Sequence, residues 1–450
     1  MTKRTLLTLL ASLPLCAQNS ADDAVIKGII IKEPPAIALP DLRGSGDAQQ
    51  FMDAFNTTLF ADIQDSAAFK MVPKSAYPLE IPQRPTDFKA PVDGKRQGPW
   101  LTDWSADPVN ASYFTIGYAA AQDKRMVLYG WLYSAKQPDL ANAQMLGKLY
   151  FNELSNEGAR KLAHEFAADI LAKFGQKPLF STRIYFTSNR TGTKEIWQMD
   201  WDGSNQKQVT FLKSTTINAA VSPDGSRLAF MTYAKGNPTL MLMSLESGRI
   251  LPFYNQQASI NMTPEFTPDG HLLFASTAHG GFSNIYISNL DGSGIRRLAP
   301  VRAVEVQPRV NPKTNDSIVF TSGRSGLPQV YKMNMDGADA VRLSSGEGDA
   351  VNAAWHPDGK LIAFSWTAGY EPGRLNIFVM DVATRKYVQL THDEGKNESP
   401  YWAPDGRHIV FTSTRNERER REQIYTMLAD GTQVRRLTHE ATNEKPVWGK

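Results

Sequence analysis

Cysteine is almost missing from this sequence: Cys16 is the only one in 450 residues. It stands near the end of an N-terminal stretch, MTKRTLLTLLASLPLCA, in which Lys3 and Arg4 precede an apolar run from Leu6 to Leu15. Charge, short apolar run and small residues in that order make a secretory signal peptide, with cleavage expected after Ala17 and Ala21 as second choice. Leu15 before Cys16 disfavours lipid modification, because that position is normally small. A mature chain starting after Ala17 has no cysteine, which excludes disulfides, thiol catalysis and cysteine-ligated metals and suits an oxidising compartment. Also missing is any later run of roughly 18 apolar residues, so no membrane-spanning helix is expected.

An excess of either charge is missing too. The formal net charge is +3, and Lys3 and Arg4 supply two of the positive charges, so nothing favours nucleic acid or an anionic membrane surface. The densest charged run, RNERERREQ at 415–423, mixes both signs and reads as a solvated loop. Catalytic signatures are equally scarce. There is no Gly-x-Ser-x-Gly elbow, and HEFAAD at 164–169 lacks the second histidine of a zinc helix, leaving His164 as a residue on an amphipathic helix. No catalytic residue, metal or cofactor is assigned.

What is present is a repeat. VSPDGSRLAF (221–230), FTPDGHLLF (266–274), VNPKTNDSIVF (310–320), WHPDGKLIAF (355–364) and WAPDGRHIVF (402–411) place Pro223, Pro268, Pro312, Pro357 and Pro404 at intervals of 45, 44, 45 and 47 residues. That is the period of propeller blades of four short strands, A to D. Pro-Asp-Gly makes the A-to-B turn: proline presets φ, aspartate bonds its own backbone and glycine takes positive φ. Asp224, Asp269, Asp358 and Asp405 are therefore turn residues. Residues 183–211 supply strands B, C and D without A, and NEKPVWGK (443–450) supplies A alone. Paired, they make a sixth blade and close the ring, leaving only short protected edges.

Residues 24–178 lack the repeat and read as an α/β domain. A strand at 36–40 precedes a helix over 47–65, with Phe51, Phe55, Leu59 and Ile63 on one face. A hairpin at 113–134, a strand at 147–153 and a helix at 156–174 with the stripe Leu162, Phe166, Ile170 and Phe174 follow. Gly175 is placed to end that helix, and the propeller is expected over 179–450. The fold class is thus an α/β N-terminal domain followed by an all-β six-bladed β-propeller.

Taken together, these features resemble the TolB family of the Tol-Pal envelope system of Gram-negative bacteria over essentially the whole mature length. The most specific pieces are TSGRSGLPQVYKMNMDG (321–337) and NESPYWAPDGRHIVFTS (397–413), supported by PAIALPDL (35–42) and the terminal PVW. The resemblance implies a noncatalytic, monomeric periplasmic protein that docks on the peptidoglycan-associated lipoprotein Pal through its propeller. It also implies contact with TolA, an inner-membrane protein, through the mature N-terminus, and a role in outer-membrane integrity and constriction at division. The segment QNSADDAVIKGIIIKEPP does not clearly match the family's TolA-contacting peptide.

The expected partner-binding surface is the channel mouth ringed by the residues just before the A strands, Asn218, Asn261, Thr263, Glu305, Gln307, Asn352, Asn397, Ser399, Asn443 and Lys445. Polar side chains converging on a concave mouth suit an inserted loop; the plainer alternative is that they cap turns. A second function class also stays open. His392-Asp393 and His439-Glu440 occupy equivalent D-to-A positions of neighbouring blades, where imidazole and carboxylate could hold a divalent metal in an enzyme acting on sugar acids or oligosaccharides.

Overall fold

Residues 34–345, 347–368, 374–392, 394–415 and 421–449 are described by the structure, a computed structural model. The expected signal segment, the mature N-terminal stretch up to residue 33 and Asp393 lie outside the described residues.

The first part of the fold is an α/β layer. Strands β1 (Ala36–Ala38), β2 (Arg43–Ser45), β3 (Lys70–Met71), β4 (Tyr113–Gln122), β5 (Arg125–Ser134) and β6 (Gln144–Glu153) form a mixed sheet in the order β3-β1-β4-β5-β6, with β2 also on β4. Helices α1 (Met52–Asp65) and α2 (Asn156–Lys173) share one core with this sheet. The i, i+4 spacing buries Phe55, Leu59 and Ile63 of α1 and Leu162, Phe166 and Ile170 of α2, while Phe51 and Phe174 are only partly covered. Residues 46–51, expected as the first turn and a half of α1, are a 3-10 segment instead.

Local signals set the ends of α2. Ser155 Oγ accepts from the Gly158 N–H at 3.0 Å. Gly175 takes φ +66° beyond the other end, where its N–H reaches Ala172 O and that of Gln176 reaches Leu171 O. The opposite face of the sheet is sealed by a stretch with no periodicity: Phe88, Leu101, Trp104 and Val109 pack on Phe114 and Tyr133. Trp104 lies stacked on Phe114 with ring centres 4.6 Å apart.

Six four-stranded antiparallel sheets follow. The A strands of blades 1 to 5 are Thr216–Val221, Asn261–Phe266, Glu305–Val310, Ala350–Trp355 and Asn397–Trp402, each paired with the B strand after its turn. Blade 6 is assembled from both ends of this region: Asn443–Gly449 pairs with Arg183–Thr191, bringing Asn443 opposite Ser188 and Trp448 opposite Ile184. The ring closes as the complementary fragments require. Trp448 also donates from Nε1 to Thr182 Oγ1 at 2.8 Å, fastening the last strand to the entry segment.

The alternating strands place their apolar residues between blades. Six clusters result, one per junction: Leu273 with Phe320 joins blades 2 and 3, Val379 with Phe411 joins 4 and 5, and Ile196 with Phe230 joins 6 and 1. Burying each such side chain contributes roughly 1.5–3 kcal/mol, so a blade is stable only between its neighbours. In the Pro-Asp-Gly turns, Asp224, Asp358 and Asp405 accept from the backbone N–H two residues on, at 3.0, 2.9 and 2.9 Å. Gly406, at φ +68°, could carry no side chain, because a Cβ there would stand 2.6 Å from His356 Nε2 of blade 4.

These turns carry an acid-stability prediction. Hydrogen bonds from Ser222 and then Ser226 hold the Asp224 carboxyl down at about 2. For Asp405 burial pushes upward, but hydrogen bonds from His408 and the Arg407 and His408 amides outweigh it and leave the carboxyl below its usual range. A depressed carboxyl stabilises the fold above its unfolded value of about 4, and that contribution is lost as pH falls through the folded value. Asp224→Asn is therefore expected to flatten the acid limb of stability between that value and about 2, read by circular dichroism during acid titration. An unchanged acid midpoint would contradict it.

The α/β layer meets the propeller at the turn end of blades 5 and 6, away from the A-strand starts. Arg407 reaches Ser66 O at 3.5 Å. A cleft of about 820 Å³ separates Phe69, Met71 and Phe174 from Leu428, Asp430 and Gln433.

Candidate functional site

In every blade the A–B pairing slips after the second residue of strand A; in blade 1, for example, Ile217 faces Met231 and Ala220 faces Ala229. The third residue takes positive φ throughout: Asn218 57°, Thr263 49°, Gln307 57°, Asn352 57°, Ser399 53° and Lys445 52°. Left-handed backbone is uncommon outside glycine, and a bulge of this kind re-aims the side chain. The result is a ring of six side chains, one per blade, around a cavity of about 50 Å³ on the axis.

Four of the six strained backbones are held by bonds to the preceding blade. The Gln307 N–H donates to Thr263 Oγ1 at 3.2 Å and that of Asn352 to Gln307 Oε1 at 3.2 Å. The Ser399 and Lys445 N–H groups donate to Ser365 Oγ at 3.1 Å and Thr412 Oγ1 at 3.0 Å. The bulge that forms the site therefore also links blades.

Deeper on the axis, the fifth residues of the A strands meet. Arg309 of blade 3 donates from Nη1 to Glu265 of blade 2, and its guanidinium stands 5.1 Å from the ring centre of Tyr401 of blade 5. Burial pushes the Glu265 carboxyl up, and the attraction of Arg309 opposes it. Burial, then Glu265, raises the Tyr401 hydroxyl to about 12. Arg309 and Tyr401 line the inner end of the cavity, with Glu265 behind Arg309, making the mouth a cup.

Of the ten expected residues, six line this cup: Asn218, Thr263, Gln307, Asn352, Ser399 and Lys445. The other four do not reach it. Asn261, Glu305, Asn397 and Asn443 are the first residues of their A strands and are 2%, 0%, 0% and 0% exposed. Asn397 Oδ1 accepts from Ser413 Oγ at 2.7 Å and Arg415 Nη2 at 3.1 Å. Asn443 Oδ1 accepts from Arg190 Nη2 at 3.1 Å, and Glu305 pairs with Arg324. The correction has a physical reason: strand A starts three residues earlier than expected, so these groups sit inside the ladder, where Glu305, Asn397 and Asn443 satisfy arginines at the ends of the B strands and Asn261 Nδ2 donates to Gln256 O at 3.1 Å.

A sequence signal for this was available. TSNR, TSGR and TSTR put Arg190, Arg324 and Arg415 two residues after serine in blades 6, 3 and 5, the blades whose A strands open with Asn443, Glu305 and Asn397. Asn397→Leu is expected to leave Arg415 without that acceptor and cost roughly 1–3 kcal/mol, measured by denaturant unfolding. Wild-type stability in that variant would contradict the buried role.

His392 and His439 lie exposed on successive D–A connections. Among the described residues no group of three or more His, Cys, Asp or Glu is placed to hold a metal. None of the helices among them is long and apolar enough to cross a membrane.

Comparison with known proteins fits this architecture. The family profile described as TolB beta propeller domain matches residues 172–370 and 351–450. The chain belongs to the TolB β-propeller family. A TolB homolog from Chlorobium luteolum is 29% identical over 287 residues, covering 63% of this chain and 61% of that protein. The Tol-Pal system protein TolB of Bordetella pertussis is 32% identical over 183 residues, covering 40% of this chain and 41% of its own length. The chain thus spans less than two thirds of these curated relatives. The crystal structure of TolB from Acinetobacter baumannii shares the fold with a TM-score of 0.70 at 20% identity, covering 93% of this TolB-family chain and 97% of that one.

Proposed function

We propose that this chain is a noncatalytic periplasmic interaction component of a Tol-Pal-type system that docks on a Pal-type peptidoglycan-associated lipoprotein. In this role it supports outer-membrane integrity and constriction at division. The observation that carries the reading is the six-blade ring of polar side chains at the mouth of a TolB-family propeller. A concave, polar, floored cup suits an inserted loop tip, held by direct and water-mediated hydrogen bonds. The stretch before residue 34 is proposed to reach a TolA-type inner-membrane partner. The test is calorimetric titration of the mature chain with the soluble domain of the lipoprotein from the same organism. Saturable one-to-one binding is expected, and no binding would sink the reading.

No hydrolase or lyase turnover is expected, since no nucleophile–base pair can be assembled from the motifs. Stoichiometric metal that disappears when His392 and His439 are replaced, together with turnover on an oligosaccharide, would favour the enzyme reading instead.

A further inference from the structure

Lys445 differs from the other five side chains around the cup. It carries a charge, and among the described residues no carboxylate lies within salt-bridge distance of it. Its ammonium donates to Asn218 Oδ1 across the junction of blades 6 and 1 at 3.1 Å. The nearby acids are engaged elsewhere: Glu444 with Lys194 at 2.7 Å, and Glu398 and Glu422 with Lys396 at 2.7 and 3.4 Å. Burial, only partly offset by Glu444, holds the Lys445 ammonium below its usual value, so the site lacks a full counter-charge.

Arg309 and Lys445 belong to the lining of the cup, and no aspartate or glutamate does. Of these two cations, Arg309 is already paired with Glu265 behind the lining, which leaves Lys445 as the one without a carboxylate at salt-bridge distance among the described residues. Around them the side-chain amide N–H groups of Asn218 and Asn352 and the Ser399 hydroxyl have no hydrogen-bond partner among the described residues. A cavity of about 50 Å³ holds roughly three or four water positions, which matches the three heavy atoms of a carboxylate. With Arg309 and Tyr401 at the inner end, a ligand enters from the mouth.

The rim indicates what carries that carboxylate. Phe211, Tyr233, Phe282, Val304 and Leu327 are 70%, 43%, 43%, 50% and 53% exposed. All five stand on the B–C and D–A connections of blades 1 to 3 or the approach to blade 1, at the same end of the propeller as the A-strand starts. A free anion has no use for an apolar shoulder, whereas a protein loop does. We propose that Lys445, with the Asn218 and Asn352 amides and the Ser399 hydroxyl, is a receptor for one carboxylate, presented by an Asp or Glu at the tip of the docking lipoprotein's loop. This rests on the docking reading above.

The test uses the mature chain, as wild type, Lys445→Met and Lys445→Arg, titrated calorimetrically with the soluble lipoprotein domain. Sodium acetate and acetamide at equal concentration, with ionic strength matched, serve as competitors. Lys445→Met is expected to weaken binding at least about tenfold, since one partner of a desolvated pair is removed. Lys445→Arg is expected to keep most of the affinity, and acetate but not acetamide to compete. Thermal melting of Lys445→Met should match or exceed wild type, because the change removes an uncompensated charge. Equal binding by wild type and Lys445→Met, or equal competition by acetate and acetamide, overturns the carboxylate receptor and leaves the docking reading standing. No binding by the wild type overturns both.

Discussion

Removal of residues 443–450 is expected to prevent the propeller from holding a closed ring. The segment supplies the A strand of blade 6, and with it go the pairing to Arg183–Thr191 and the burial of Val447 and Trp448, which are 4% and 5% exposed. Each of these side chains contributes roughly 1.5–3 kcal/mol by burial. The loss also opens the junctions to blades 5 and 1, where Trp448 packs with Val410 and Val447 with Phe230. Several kcal/mol is a large part of the ~5–15 kcal/mol that holds a domain together. The truncated chain should melt at least about 10 °C lower or lose its cooperative transition altogether. It should also aggregate through the unpaired edge of Arg183–Thr191. Calorimetry with light scattering reads both effects; a truncated chain that melts like the full one would refute closure by the C-terminal strand.

The second large effect is expected at the floor of the cup. Arg309→Leu leaves Glu265 buried between blades without its cation, and breaking such a pair costs about 3–5 kcal/mol. Changing Glu265 and Arg309 together to leucine removes both charges and should return stability to within about 1–2 kcal/mol of wild type. Denaturant unfolding of the two single variants and the double variant forms a cycle with strong favourable coupling in the wild type. Additive losses would mean that the two side chains do not depend on each other.

Much of this fold was legible because its signals are local. Pro-Asp-Gly turns fix the A-to-B step, alternation fixes the strands, and the two complementary fragments leave one way to close the ring. The i, i+4 stripes of α1 and α2 were equally local. The stretch from Val72 to Ala111 was not, because its short turns have no period, and Trp104 finds its place through tertiary packing against Tyr77 and Phe114. The short strands β2 and β3 exist through parallel pairing, which three or two residues cannot announce alone.

At the site, the polar third residues were visible as a set, but their conformation was not. Thr263, Gln307, Ser399 and Lys445 precede prolines, which favours an extended backbone, yet they take positive φ. The bulge that imposes this belongs to the pairing of two strands, and bonds from the preceding blade hold it. Asn397 and Asn443 were expected at the rim because they are polar. Their burial depends on Arg415, 18 residues later, and Arg190, 253 residues earlier.

The central claim, that the mouth of this propeller docks a lipoprotein, is tested most directly by amide hydrogen exchange on the mature chain with and without the soluble Pal-type domain. The account predicts added protection around the third residues of the A strands, from Asn218 through Lys445, and along the connections bearing Tyr233, Phe282 and Leu327, with the α/β layer unchanged. Protection confined to β1–β6 and the two helices, or none anywhere at saturating lipoprotein, would contradict it.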